Sequence, residues 1–204
     1  MKLVIGCCLC GMLLLSGCAT PLKIVEVNAP DVNCVFNPSC TIVVTDTTDT
    51  IPIPAGGTNF LQSRTFTGET GAAAAGLYGY EYRINLINAM GVVNIPCIRS
   101  LAIDFGQIVR TLDYDGDGSP DDVYIVTKGG IGSVGPTSAK VNGGRVIFDF
   151  DNPVCVGGSP GSGDSSFFFG LTSPQPPNSV TATVTEVYGA VYSVGARSSA
   201  PGAP

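Results

Sequence analysis

One short acidic segment places five carboxylates within ten residues. Residues 113–122 read Asp-Tyr-Asp-Gly-Asp-Gly-Ser-Pro-Asp-Asp. Unneutralised carboxylates held this close together repel one another, and a hard cation that prefers oxygen ligands would relieve the repulsion. The first three acids match positions 1, 3 and 5 of a D-x-D-x-D-G calcium loop, and Gly118 supplies its turn. The segment therefore predicts a structural Ca²⁺ site with the ligands Asp113, Asp115, Asp117, Asp121 and Asp122.

The residues that follow the segment differ from those of a helical calcium sensor. Position 12 of the loop is Tyr124 instead of a bidentate glutamate, and residues 123–127 have the pattern of a strand. Residues 111–126 resemble the calcium loops of FG-GAP-type β-propeller repeats, in which an acidic Asp/Gly loop precedes Pro-Asp and a hydrophobic strand. The segment occurs once, so the resemblance implies a calcium clamp and does not imply a propeller. The alternative is a solvated Asp-Gly turn without metal.

Composition limits the classes of protein that this chain can represent. The 204 residues are 44% hydrophobic and only 13% charged, which suits a protein with a buried core. A net charge of −6 argues against nucleic acid as a partner, because nucleic acid requires a basic surface. The sequence has no histidine, which is the commonest general base, and no tryptophan.

The first eighteen residues have the pattern of a processed and lipidated N-terminus. Residues 3–15 follow Lys2 and are apolar, but they are too few to span a membrane as a mature helix. The sequence Leu-Ser-Gly-Cys at 15–18 resembles a bacterial lipobox. The resemblance implies a signal peptide over residues 1–17, lipidation of Cys18 and attachment to the cell envelope. By resemblance to proteobacterial lipoproteins, Ala19 instead of aspartate after the cysteine implies the outer membrane of a Gram-negative bacterium; in a Gram-positive cell the site would be the outer face of the plasma membrane. The alternative is an ordinary signal peptide with a chance cysteine.

Four cysteines follow the predicted lipidation site. An even number in an exported chain predicts two disulfides, and three pairings are open. We favour Cys34–Cys40, which closes a tight loop, and Cys97–Cys155, which closes a long one. A site in which all four bind zinc is disfavoured, because the sequence contains no C-x-x-C pair.

Short strand patterns separated by Gly- and Pro-rich turns extend along most of the chain. The clearest is residues 180–185, where Val180, Ala182 and Val184 alternate with threonines, and residues 41–45 also favour a strand. Residues 98–112 fit one helix face or a strand, and we choose a strand. Nine or ten strands predict an all-β fold, a single jelly-roll-like β-sandwich over residues 31–195. Residues 18–30 are predicted to be a lipidated N-terminus and tether, and residues 196–204 a disordered tail.

A wider resemblance covers residues 60–175. Their Tyr78-Gly79-Tyr80-Glu81-Tyr82-Arg83, Phe148-Asp149-Phe150 and Ser166-Phe167-Phe168-Phe169-Gly170 segments, with the acidic loop and two cysteines, resemble secreted bacterial β-sandwich proteins that carry varied anchors, including PEP-CTERM tails. The resemblance implies a fold and an envelope location, but it implies no activity.

Three tyrosines recur at every second position. On a strand, Tyr78, Tyr80 and Tyr82 share one face. Exposed, they would form an aromatic platform for a glycan; buried, they would form part of the sandwich core or its rim.

These observations predict a lipid-anchored, non-enzymatic envelope protein that acts through surface contacts with an envelope protein or a glycan. Its alternative is a glycan-binding module built on the three tyrosines. A further alternative is a glycosidase, which requires two acids about 5–9.5 Å apart in a cleft. The candidate acids are Glu69, Glu81, Asp104, Asp149 and Glu186.

Overall fold

Twelve strands and one helix make up the regular structure of the residues that the computed structural model describes, which are 19–91 and 95–201. The helix is α1, Ala29–Phe36. The strands are β1 Thr20–Leu22, β2 Ile24–Asn28, β3 Thr45–Asp49, β4 Gly56–Thr67, β5 Tyr78–Met90, β6 Cys97–Asp104, β7 Val123–Lys128, β8 Ser138–Asn142, β9 Arg145–Cys155, β10 Phe169–Ser173, β11 Asn178–Glu186 and β12 Val191–Ser198.

The strands form two six-stranded sheets that pack face to face. The strand order is β1-β8-β9-β6-β11-β12 in the first sheet and β2-β7-β10-β5-β4-β3 in the second. Neighbouring strands are antiparallel except β2 and β7, which are parallel. The prediction of an all-β sandwich is confirmed, as is the strand assignment for the start of residues 98–112.

Alternate side chains along the strands point into the space between the sheets and form the core. In β11, Ala182 and Val184 are buried while Thr181 is exposed. The core combines aromatic and branched side chains from both sheets, and the Phe148 and Phe169 rings lie 4.8 Å apart across it. Burial of this apolar surface is the main term that favours the folded sandwich.

A second, smaller hydrophobic cluster lies on the outer face of the second sheet. Helix α1 covers this face with Val32 and Phe36, and the Phe36 ring meets the Phe66 ring edge-on at 4.7 Å. The helix is short and has Pro30 in its first turn, a position that proline tolerates. Because of this cover, most of β5 is buried on both of its faces.

Both predicted disulfides are present. Cys34 in α1 is bonded to Cys40 beyond its end. Cys97 and Cys155 lie directly opposite each other in the β6–β9 pairing and are bonded across the two strands.

The predicted domain boundaries need two corrections. Residues 20–28 are not a tether, because β1 pairs with β8 in the first sheet and β2 pairs with β7 in the second. The chain thus crosses from one sheet to the other at Lys23. The predicted tail is also ordered at its start, since β12 reaches Ser198 and residues 198–200 are buried. The predicted signal peptide and Cys18 lie outside the described residues.

Candidate functional site

The acidic segment forms a loop between β6 and β7 that is closed at its base. The Asp121 amide donates a hydrogen bond of 2.7 Å to the Leu112 carbonyl, which joins the two ends. Between these ends, Tyr114 points inward and packs against Tyr124, with ring centroids 4.7 Å apart. The Tyr114 and Thr172 hydroxyls lie 2.7 Å apart. The base of the loop is therefore anchored in the second hydrophobic cluster, while its tip is exposed.

Three of the five predicted ligands come together at the tip. One carboxylate oxygen from each of Asp113, Asp115 and Asp117 lies within 4.8 Å of the others. A set of carboxylate oxygens is the donor set that a hard cation such as Ca²⁺ prefers. We refer to these three side chains as the acidic triad.

Backbone amides of the loop orient the acidic triad. The two Asp113 oxygens accept hydrogen bonds from the Gly116 and Gly118 amides at 2.7 and 2.8 Å. The Gly118 amide, with help from Gly116, holds the pKa of Asp113 below its usual value. Gly118 has a φ of +86°, a left-handed conformation that a side chain would strain. The local sequence thus gives the loop its shape, and the ionised form of Asp113 is favoured.

Asp121 and Asp122 do not join the acidic triad, which corrects the prediction of five ligands. The Asp121 side chain is fully buried; its Oδ2 accepts the Tyr114 amide at 2.9 Å, and its Oδ1 lies 2.7 Å from Lys23 Nζ. This hydrogen-bonded carboxylate raises the pKa of Lys23. Asp122 accepts the Lys23 amide at 2.8 Å and lies 3.5 Å from Arg110 Nε. Asp121 and Asp122 are therefore each paired with a basic side chain.

The three tyrosines do not form a glycan platform, because they face the interior of the sandwich. Tyr80 and Tyr82 are 0% exposed, and Tyr78 is half-buried. Each buried hydroxyl donates to a backbone carbonyl, Tyr80 to Gln175 at 2.6 Å and Tyr82 to Arg197 at 2.7 Å. The shared face was predicted correctly, but the platform hypothesis is wrong.

The candidate glycosidase acids are dispersed. Glu69, Glu81 and Asp149 line three different cavities. Asp149 also lies 2.7 Å from Lys140 Nζ, and Asp104 lies 3.1 Å from Arg145 Nη1. Glu186 accepts a hydrogen bond from the Tyr192 hydroxyl at 3.3 Å. The first three acids therefore do not supply the pair of carboxylates in one cleft that the glycosidase hypothesis requires.

Sequence reasoning missed the roles of Lys23, Arg64 and Phe168. Lys23 lies in the segment assigned to the tether, so its pairing with the loop was not foreseen. Arg64 and Phe168 face outward from neighbouring parts of the second sheet, and their contact depends on strand order. The sequence carries one signal for the outer face of this sheet. Charged residues alternate with tyrosines in β5, which places Glu81 on the face opposite Tyr80.

Comparisons of the chain with protein-family models, with curated proteins and with solved structures give no match. Among the described residues, no helix has the length and apolar character needed to cross a membrane. Function must therefore be argued from the chemistry of the chain itself.

Proposed function

We propose that this protein is a non-enzymatic, lipid-anchored protein of the bacterial cell envelope, with a β-sandwich domain that is stabilised by Ca²⁺ and acts through surface contacts. The observation that carries the proposal is the Leu-Ser-Gly-Cys sequence at 15–18, directly before the folded domain. An N-terminal diacylated cysteine anchors firmly because two acyl chains enter the bilayer. By the same resemblance, Ala19 after the cysteine supports the outer membrane of a Gram-negative cell as the site of attachment.

The start of the fold supports a close attachment. β1 begins at Thr20, two residues after Cys18, and Lys23 lies 3.9 Å from Asp117 of the acidic triad. If Cys18 is lipidated, the folded domain begins almost directly after the anchor, and the domain would rest on the membrane surface without a long tether.

Exposed apolar side chains lie at the end of the first sheet that is remote from Thr20. Val187, Tyr188 and Val191 lie at the β11–β12 turn, and the Val187 amide donates to the Cys97 carbonyl at 2.9 Å. Thr20 instead pairs with Val141, near the opposite end of β9. Surface contacts made through this turn would thus be made away from the lipid anchor.

The lipid anchor predicts a specific effect of replacing Cys18. In a Gram-negative host, the full chain is expected to incorporate labelled palmitate and to fractionate with membranes. Cys18→Ser should lose the label, because serine has no thiol to accept the diacylglyceryl group, whereas Cys10→Ser should keep it. Labelling with mass analysis of the N-terminus measures both. Label retained by Cys18→Ser would contradict the proposal.

Calcium is expected to raise the melting temperature of the unlipidated protein, residues 19–204. At a free concentration of 100 times the dissociation constant, mass action gives a stabilisation of about 2.7 kcal/mol. Asp115→Asn and Asp117→Asn should abolish the shift, since each removes a charged ligand and keeps an acceptor for its loop amide. Asp151→Asn, at an exposed aspartate outside the loop, is the matched control.

Calorimetric titration with calcium provides an independent measurement of the same site. The absence of both heat and a melting shift across millimolar calcium would show that the acidic loop is a solvated turn that binds no calcium. That outcome would leave the lipid anchor as a separate proposal, tested by labelling alone.

A further inference from the structure

We propose that the cavity between α1 and the outer face of the second sheet binds a small organic cation, an ammonium group on an apolar body, with the Glu81 carboxylate as its anionic partner. This site goes beyond the proposed function and has no lining residue in the acidic loop. We refer to it as the α1 cavity.

The α1 cavity has the size and lining of a small-molecule site. Its volume is about 380 Å³, within the range of about 300–1,000 Å³ that is typical of ligand pockets. Its walls come from α1, from the segment 42–44 that follows the first disulfide, and from the turn after β7. The apolar side chains of these walls and of the sheet are Ala29, Val32, Ile42, Val44, Val126, Ile131 and Phe168.

A disulfide holds two of these walls together. Cys34 lies in α1 beside the cavity residue Asn33, and Cys40 lies two residues before Ile42. The bond fixes the helix relative to the 42–44 segment. The cavity is therefore preformed, which lowers the cost of ordering its walls when a ligand binds.

Glu81 is the buried acid of this cavity. It is only 4% exposed, and its Oε1 accepts a hydrogen bond from the Tyr124 hydroxyl at 3.2 Å. It makes no ion pair with a lysine or an arginine in the described part of the chain. Burial of this carboxylate is unfavourable and the charge of Arg64 offsets it only in part, so a cation that enters the cavity would stabilise the ionised form.

Arg64 also lines the cavity, and both it and Arg83 are already engaged by other groups. Arg64 Nε donates to Asp46 Oδ1 at 2.9 Å, and its guanidinium lies 3.9 Å from the centre of the Phe168 ring. Arg83 Nε donates to Gln62 Oε1 at 3.0 Å. Arg64 thus forms its ion pair with Asp46, whereas Glu81 forms none within the described residues and is the acid of the cavity that a ligand cation can pair with.

The probe for this site is phenethylammonium, compared with 3-phenylpropionate, which has a similar apolar body and the opposite charge. Titration of the folded, unlipidated protein at pH 8, followed by amide NMR and calorimetry, should show saturable binding of the cation. Glu81→Gln is expected to weaken it by about tenfold or more, since a charged hydrogen bond is lost. Glu69→Gln, at an acid of the neighbouring cavity, is expected to leave it unchanged.

A second variant tests the location without touching the buried acid. Ile131 is 51% exposed and lines the cavity, so Ile131→Arg should weaken binding of the cation by charge repulsion while the core stays intact. Equal affinity in wild type and both cavity variants would overturn the proposal. Tighter binding of 3-phenylpropionate would also overturn it, and would identify Arg64 as the anchor of an anionic ligand. The absence of saturable binding by both probes would overturn the proposal as well. None of these measurements depends on palmitate labelling or on calcium.

Discussion

Removal of the Cys97–Cys155 disulfide by paired serine substitution is expected to lower the free energy of unfolding by about 4 kcal/mol in the chain-entropy model. The bond joins residues 58 apart in sequence, so its loss releases a long loop in the unfolded chain. The two cysteines are direct partners in the β6–β9 register, so serines fit the same positions in the folded sheet. Urea denaturation followed by circular dichroism measures the change.

The Cys34–Cys40 disulfide provides the matched comparison. Its residues are only 6 apart, and the same model gives a loss of about 2 kcal/mol for Cys34→Ser with Cys40→Ser. Equal losses for the two pairs would show that loop entropy does not set their contributions. A larger loss for the short loop would indicate that the disulfide acts mainly by holding α1 on the sheet.

Glu81→Gln is expected to stabilise the protein at pH 8 by about 3 kcal/mol, the free energy that corresponds to the pKa shift of this carboxyl. Burial raises the pKa of Glu81 from 4.5 to about 7, although the Arg64 charge and the Tyr124 hydrogen bond act in the opposite direction and Asp46 adds to the increase. The folded protein therefore favours the protonated acid. Glutamine stays neutral at every pH and avoids the cost of ionising a buried group.

The pH dependence has a definite sign. Because the pKa is higher in the folded state, the stability contributed by protonated Glu81 is fully present below about pH 4.5 and is lost as the pH rises through about 7. Denaturation of wild type and Glu81→Gln at pH 4, 5.5 and 8 isolates this contribution as the change in their difference. A difference that stays constant across this range would show that the carboxyl titrates normally. Glu69→Gln serves as the control for loss of a glutamate outside the α1 cavity.

Local signals in the sequence predicted the parts of the fold that depend on neighbouring residues. The alternation of Ala182 and Val184 with threonines predicted β11, because a strand exposes alternate residues to opposite faces. The count and spacing of the cysteines favoured the two disulfides that are present. Neither signal required knowledge of which strands become neighbours.

The orientation of each face could not be predicted in the same way. A period of two placed Tyr80 and Tyr82 on one face, but it did not say whether that face points inward. Their hydroxyls are satisfied by carbonyls of Gln175 and Arg197, which lie 95 and 115 residues away in sequence. Such partners follow from the pairing of distant strands, which no local pattern specifies.

The outer cluster was missed for a related reason. Residues 41–44 have strong strand propensity, yet the structure uses them as a wall between α1 and the sheet, and β3 begins only at Thr45. Helix α1 is stabilised mainly by burial of Val32 and Phe36, because an eight-residue helix is marginal by itself. The ion pairs of the acidic loop could not be predicted for the same reason, because Lys23 and Arg110 approach Asp121 and Asp122 only in the folded chain.

The passage of the chain from β1 to β2 has a mechanical consequence. Three residues pair with the first sheet and the next strand pairs with the second, with only Lys23 between them. A pull on the N-terminal end therefore acts first on the β1–β8 pairing of the first sheet and then, through Lys23, on the β2–β7 pairing of the second. Separation of residues 20–28 from the domain would break pairings in both sheets, because β1 belongs to one sheet and β2 to the other.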